Sequence, residues 1–254
     1  MRRTLFSLLT AALLAAAVIT AVASSAVASS AVASSAVASS ASAAVAAIPH
    51  HPNFESSGPF AWWNNGGFRV NNDEWNPAAG PQMIWANSSS DWGVKSDQAA
   101  GNTAVETYPA VKEDFGNVPV LSLPTITDGF TESMPNVAGL DAEAAVDVWL
   151  NNFGTEVMIW VDNHGQTPAG NIIAHVTISG QSFAVWQRGV TFTFALNGNE
   201  TSGQANILAS VQWLMQQGYV PGGSTLRQVD FGWEIASTGG SPQDFAVTNY
   251  WVHT

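Results

Sequence analysis

The segment Thr155-Glu156-Val157-Met158-Ile159-Trp160-Val161 alternates in polarity along its length. Strand side chains repeat with a period of two, so Val157, Ile159 and Val161 share one face, and Glu156, Met158 and Trp160 share the other. The first face is aliphatic and demands a core. The second sets a carboxylate beside a thioether and an indole on the side open to water. An indole stacks on a sugar ring, and a carboxylate beside it is placed for chemistry at an anomeric carbon.

Two further stretches have the same design. In Val146–Leu150, Val146, Val148 and Leu150 face one way and Asp147 and Trp149 the other. In 228–236, Val229, Phe231, Trp233 and Ile235 form an apolar face opposite Gln228, Asp230, Gly232 and Glu234. The first of these is joined to Thr155–Val161 by Asn151-Asn152-Phe153-Gly154, a hairpin turn signal. A hairpin closing between Leu150 and Thr155 sets Trp149 opposite Glu156 and Asp147 opposite Met158. Asp147 and Glu156 are then diagonal neighbours on one face, about 7–8 Å apart at the backbone. Like charges at that range cannot both ionise cheaply, so such a pair shares a proton or tunes one member.

Glycoside hydrolysis uses two carboxyl groups flanking the bond, and a separation of about 5–5.5 Å gives retention of configuration. Glu156 and Glu234 qualify if their strands meet in one concave sheet. Spacing alone leaves open the plainer alternative that these acids are solvated strand residues. Asp141, Glu143, Asp162 and Asp230 are read as bystanders.

The rest of the chain gives these strands a setting. Other short alternating runs lie at 67–70, 82–86, 104–108, 144–150, 172–179, 182–187, 190–196 and 245–252, separated by Gly, Asn, Pro and Ser. Ten or more strands at short spacing predict an all-β fold, an antiparallel two-sheet sandwich. One helix is expected, with Ile207, Val211, Leu214 and Met215 on its apolar stripe, Gly218 as C-cap, and a place on the back of a sheet.

Residues 1–23 have the pattern of a secretory signal, with Arg2 and Arg3 ahead of an apolar run and Ala-x-Ala cleavage candidates after it. Residues 24–47 continue four uninterrupted AVASS repeats that span Ala21 to Ser40, a low-complexity spacer with too little apolar bulk for a core. Residues 48–254 form the single folded domain. The expected location is extracellular, by the general export route, with no membrane contact after signal removal.

Residues 48–254 contain all 11 Trp, all 19 acids and five of the seven bases, a formal charge of −14. Such a surface repels nucleic acid and anionic membranes and tolerates a neutral polymer. With no Cys there are no disulfides, no thiol chemistry and no zinc–sulfur site. The five His are dispersed, and neither a nucleotide-binding glycine loop nor an H-E-x-x-H motif is present, so no metal or cofactor is expected.

TEVMIWV after VDVWL resembles the nucleophile strand of glycoside hydrolase family 12 and the strand that precedes it. Other family segments follow in order: VNNDEWN at 70–76, TYPAV at 107–111, TPAG at 167–170, the Trp186 strand VWQRGV, QGYVP at 217–221 and FGWEIASTGG at 231–240. The resemblance spans the folded domain nearly end to end. It implies a β-jelly-roll with a concave substrate cleft and a retaining endo-β-1,4-glucanase working on cellulose, mixed-linkage β-glucan or xyloglucan as a monomer. It implies Glu156 as nucleophile, Glu234 as general acid/base and Asp147 as the hydrogen-bond partner of the nucleophile, with Asn72, Trp75, Met158, Trp160 and Pro168 binding substrate. The short turn between Asp147 and Glu156 and the extra acid in NNDEW depart from the family pattern. Two alternatives are a non-catalytic carbohydrate-binding jelly roll, which leaves the paired glutamates without a purpose, and a family 11-like xylanase, whose strands are richer in Tyr than this domain's.

Overall fold

The computed structural model describes residues 51–254, so the expected signal and spacer lie outside the described residues. In chain order the strands are β1 (Phe54–Ser56), β2 (Trp62–Asn65), β3 (Phe68–Asn71), β4 (Gln82–Ser88), β5 (Asp91–Ser96), β6 (Ala110–Pro119), β7 (Thr127–Ser133) and β8 (Leu140–Leu150). They continue as β9 (Thr155–His164), β10 (Asn171–Ile178), β11 (Gln181–Arg188), β12 (Thr191–Leu196), β13 (Ser202–Asn206), β14 (Thr225–Thr238) and β15 (Gln243–His253). One α-helix, α1 (Ile207–Gln216), lies between β13 and β14.

The strands form two sheets, as the jelly-roll expectation requires. One has six strands in the order β1-β4-β5-β15-β7-β13, and the other nine in the order β10-β11-β12-β9-β8-β14-β6-β3-β2. The core lies between them and is built from the aliphatic faces identified above. Val146, Val148, Val157, Ile159, Val229, Phe231 and Trp233 are all fully or almost fully buried. Aromatic pairs bridge the sheets: Trp92 packs on Trp233 at 5.0 Å and Phe130 stacks on Phe231 at 5.1 Å. Such pairs add specific geometry to a large burial of apolar area.

The hairpin closes in the expected register, with Leu150 opposite Thr155, Trp149 opposite Glu156 and Asp147 opposite Met158. Its turn places Asn151, Asn152 and Phe153 at positive φ. Asn tolerates that region, whereas Phe does not favour it. Phe153 is held by ring contact with Trp149 at 5.6 Å and by the Arg227 guanidinium at 5.2 Å.

Helix α1 forms where its apolar stripe predicts. The Asn206 side chain caps it by accepting from the Ala209 amide at 2.9 Å, and Gly218 follows its end at φ 77°. Ile207, Val211 and Leu214 are buried, and Trp213 meets Phe194 of β12 edge-on. Phe194 points away from the face that carries Thr191 and Thr193, so α1 does lie on the back of the nine-stranded sheet.

Two expectations need correction. Pairing is not antiparallel throughout, because β12 runs parallel to β9, with Thr191 beside Glu156 and Thr193 beside Met158. Residues 104–108 are not a strand; they make a single bridge, Thr107 to Ile235. The backbone there is shared out instead. Glu106 donates to Ile235 and accepts from Asn76, and Tyr108 donates to Asp73. The segment therefore ties the 72–76 loop to β14.

Acids are buried in this core as well. Asp128 of β7 is fully buried, accepts from the Ala205 amide at 3.1 Å, and is pushed up to about 7 by burial. A carboxyl whose folded value is raised contributes stability that is complete below its unfolded value near 4 and is lost as pH rises through 7. Asp128→Asn is therefore expected to flatten the fall in stability between pH 5 and 8, a tenfold difference in proton affinity corresponding to about 1.4 kcal/mol. Denaturant melts of the variant and wild type at both pH values check this; parallel curves would show that Asp128 is not the group responsible.

Candidate active site

Acid-bearing faces of β14, β8 and β9 lie side by side because β8 pairs with β14 on one edge and β9 on the other. Across β14 and β8, Asp230 stands opposite Asp147 and Glu234 opposite Glu143. Glu156 and Glu234 thus sit on strands separated by β8 and at different levels along it. Register shifts at Ala144/Ala145 in β8 and Ile235/Ser237 in β14 bend the sheet there. Both glutamates line one cavity of about 480 Å³, and the charge of Glu156 acts on Glu234.

Of the residues singled out from sequence, Glu156, Glu234, Trp75, Met158 and Trp160 all line this cavity. Trp75 is half exposed, on the loop tied to the 105–108 segment, while Met158 and Trp160 form a closed floor. The buried Trp160 Nε1 has no hydrogen-bond partner among the described residues. Asp147 lies beneath them at 4 % exposure, one residue level from Glu156.

Asn72 takes a different place from the one expected. It is wholly buried, and its Nδ2 donates to the Gly58 carbonyl at 3.0 Å and to Glu74 Oε1 at 2.5 Å. Gln82 Nε2 donates to its carbonyl at 2.8 Å. This side chain braces the loop that carries Trp75 and is not among the residues that line the cavity. Pro168 is also buried; the cavity wall there is made by its neighbours Thr167 and Ala169.

Several site residues escape sequence reasoning. Thr191 and Thr193 line the cavity because parallel pairing sets them beside Glu156 and Met158. The alternation in Thr191-Phe192-Thr193-Phe194 is a signal of that face, but nothing in it names the neighbouring strand. Arg188 and Gln166 also reach the cavity, and Gln166 Nε2 donates to the Glu234 carbonyl at 2.8 Å. Glu143 and Asp230, read as bystanders, are fully buried on the acid face.

The environments of these acids differ. Burial raises Glu156, and a 2.8 Å hydrogen bond from Thr191 Oγ1 to Oε2 opposes the rise. Glu234 is pushed up to about 7, first by burial, with the neighbouring Glu143 opposing the rise and the charge of Glu156 adding to it. Asp147 is raised well above the carboxylate range by burial, then by Glu156 and Asp230. Asp230 reaches only about 6, because Lys112 at 3.5 Å and Gln228 at 2.8 Å temper its burial. One carboxyl in the cavity is therefore built to ionise first and another to keep its proton to near-neutral pH, the division of labour that acid–base chemistry requires. Among the described residues no group of His, Asp or Glu is arranged to hold a metal ion.

With this geometry in view, solved structures with the same fold are informative. The xyloglucanase domain of NopAA, a type three effector from Sinorhizobium fredii, in complex with cellobiose, superposes with a TM-score of 0.73 at 24% identity, covering 80% of this chain and 99% of that one. A family 12 xyloglucanase from Bacillus licheniformis gives 0.69 at 22% identity, over 78% and 98% of the two chains. The endoglucanase cel12A from Rhodothermus marinus gives 0.69 at 21% identity, over 79% and 99%. In sequence, Endoglucanase A of Aspergillus kawachii (strain NBRC 4308) is 25% identical over 207 residues, covering 72% of this chain and 85% of that protein. No family model matches the chain. The fold is the β-jelly-roll of the family 12 glycoside hydrolases, the same family that the strand motifs resemble.

Thr191→Val is expected to raise the titration of the Glu156 carboxyl, since a hydrogen bond to the charged form is lost. Carbon-13 NMR of labelled glutamate side chains measures it, and an unmoved Glu156 resonance would show that Thr191 does not set its charge.

Proposed function

We propose that the chain is a family 12 glycoside hydrolase, a secreted retaining endo-β-1,4-glucanase. The observation that carries this reading is the shared cavity in which Glu156 and Glu234, differently tuned, stand beside Trp75, Met158 and Trp160. Trp75, half exposed, provides a stacking surface for a glucosyl ring, and Met158 and Trp160 wall the cavity beneath it. The names of the similar proteins fit this substrate class, since they include xyloglucanases and endoglucanases. A β-1,4-linked glucan backbone, bare or xylosylated, is the proposed substrate.

The chemistry follows from the two environments. Glu234, protonated up to about pH 7, donates its proton to the glycosidic oxygen as the bond to the anomeric carbon breaks. Glu156, as carboxylate, attacks that carbon and forms a glycosyl-enzyme. Its negative charge is then gone, which removes one of the influences holding Glu234 up. Glu234, now ionised, takes a proton from water, the resulting hydroxide equivalent attacks the anomeric carbon, and Glu156 leaves as carboxylate. Two inversions give net retention. Thr191 bonds one oxygen of Glu156, and on this reading neutral Asp147, diagonal to Glu156 across the β8–β9 ladder, donates toward the nucleophile.

Glu156→Gln is expected to fold normally and to lose nearly all release of reducing ends from soluble β-glucan. Glu234→Gln is expected to lose about 10²–10⁴-fold on the same polymer, while aryl cellobiosides with good leaving groups keep most of their first-step rate. NMR of the first-formed product should show the β-anomer. Wild-type-like rates in either variant, or an initial α-anomer, would end this assignment. The pH–rate profile should fall on its basic limb near pH 7, where Glu234 gives up its proton.

A further inference from the structure

Glu143 has no role in the reaction above, yet it is buried more completely than either catalytic glutamate. It stands directly opposite Glu234 across the β14–β8 ladder, at 0 % exposure. Neither of its oxygens has a hydrogen-bond partner among the described residues. A buried carboxylate without donors is costly, whereas a neutral carboxylic acid needs only an acceptor for its proton. The titratable groups that act most on Glu143 are all acidic: Glu234 first, from β14, then Asp147 of its own strand and Glu156 of β9. Tyr108, from the segment beside β14, feels the same field and is itself held protonated. Burial and these three acids all work against ionisation of Glu143, and Glu234, directly opposite it across the ladder, is an acceptor within side-chain reach of its proton.

We propose that Glu143 is a positioning residue for Glu234: a carboxylic acid kept neutral, it donates a hydrogen bond to the carboxylate that Glu234 becomes on giving up its proton. This rests on the glycosidase reading of Glu234. The site then holds two carboxyl–carboxylate pairs, Asp147 behind Glu156 and Glu143 behind Glu234. Glu143 keeps its own proton through both half-reactions, so it changes the acidity of Glu234 without entering the proton balance. It makes proton donation easier in the first step and fixes the rotamer from which water is deprotonated in the second.

Two substitutions separate this role from simple packing. Glu143→Leu fills the space and removes the donor; Glu143→Gln keeps an N–H donor in its place. With Glu143→Leu the basic limb of kcat/KM on an aryl cellobioside should move upward by about one pH unit, because the ionised form of Glu234 has lost its hydrogen bond. Glu143→Gln should return the limb close to its wild-type position. An unmoved limb in Glu143→Leu overturns the proposal. So does a downward move, which would mean that Glu143 was ionised and repelling Glu234. A second measurement needs neither activity nor the Leu variant. The infrared difference between wild type and Glu143→Gln at pH 7 should show the carbonyl band of a protonated carboxylic acid lost in the variant, and loss of a carboxylate band instead overturns the proposal. If wild type itself cleaves no β-glucan or aryl cellobioside while that infrared band is present, the glycosidase reading fails and the neutral Glu143 stands.

Discussion

Strand β8 is hydrogen-bonded along both edges, and the rest of the molecule depends on that double ladder. One edge takes β9 and the other β14, so a single backbone aligns Glu143, Asp147, Glu156, Asp230 and Glu234. The opposite side of the same strand carries Ala142, Ala144, Val146, Val148 and Leu150 into the core. Core and cleft are therefore two faces of one strand. A slip of one residue would put carboxylates among the aromatic pairs and aliphatic side chains in the cleft, and the energetic penalty on both faces holds the register.

The cluster works because its members are unequal. Five acids close together in a buried setting cannot all be charged, and small differences in surroundings decide which are. Lys112 and Gln228 favour charge on Asp230, and Thr191 favours it on Glu156. Asp147 has only the Lys112 charge in its favour and Glu143 none among its leading influences, and burial pushes both well above the carboxylate range. On the reading proposed above, their hydroxyls are donors to Glu156 and Glu234, and what would be repulsion becomes support.

Much of this is legible in the chain itself. The period-two faces of 146–150, 155–161 and 228–236 identify core and cleft, and the turn residues Asn151–Gly154 set the hairpin register. The helix follows from its apolar spacing and its terminal glycine. What is not legible involves partners distant in sequence. The parallel contact of β12 with β9 brings Thr191 to Glu156 from 35 residues away, and no local pattern encodes it. Glu143 looks idle in the sequence because its partner lies on β14, in a register that two bulges alter. Asn72 and residues 104–108 mislead for a different reason. Their composition suits a binding residue and a strand, but the tertiary bonds that hold the Trp75 loop take up the groups involved.

The position of β14 also bears on how the molecule comes into being. It is the second-to-last strand in the chain, yet it inserts between β8 and β6, both formed far upstream. Until Thr225–Thr238 is available, the nine-stranded sheet is split into two separate halves, β10-β11-β12-β9-β8 on one side and β6-β3-β2 on the other. Pairings of that sequence separation are slow to form, since the loop entropy is lost before contacts repay it. A chain emerging from a ribosome therefore carries Glu156 without Glu234 until β14 has been made. The cleft is completed in one late event, and a chain truncated before Glu234 retains two open sheet edges that invite association with other chains.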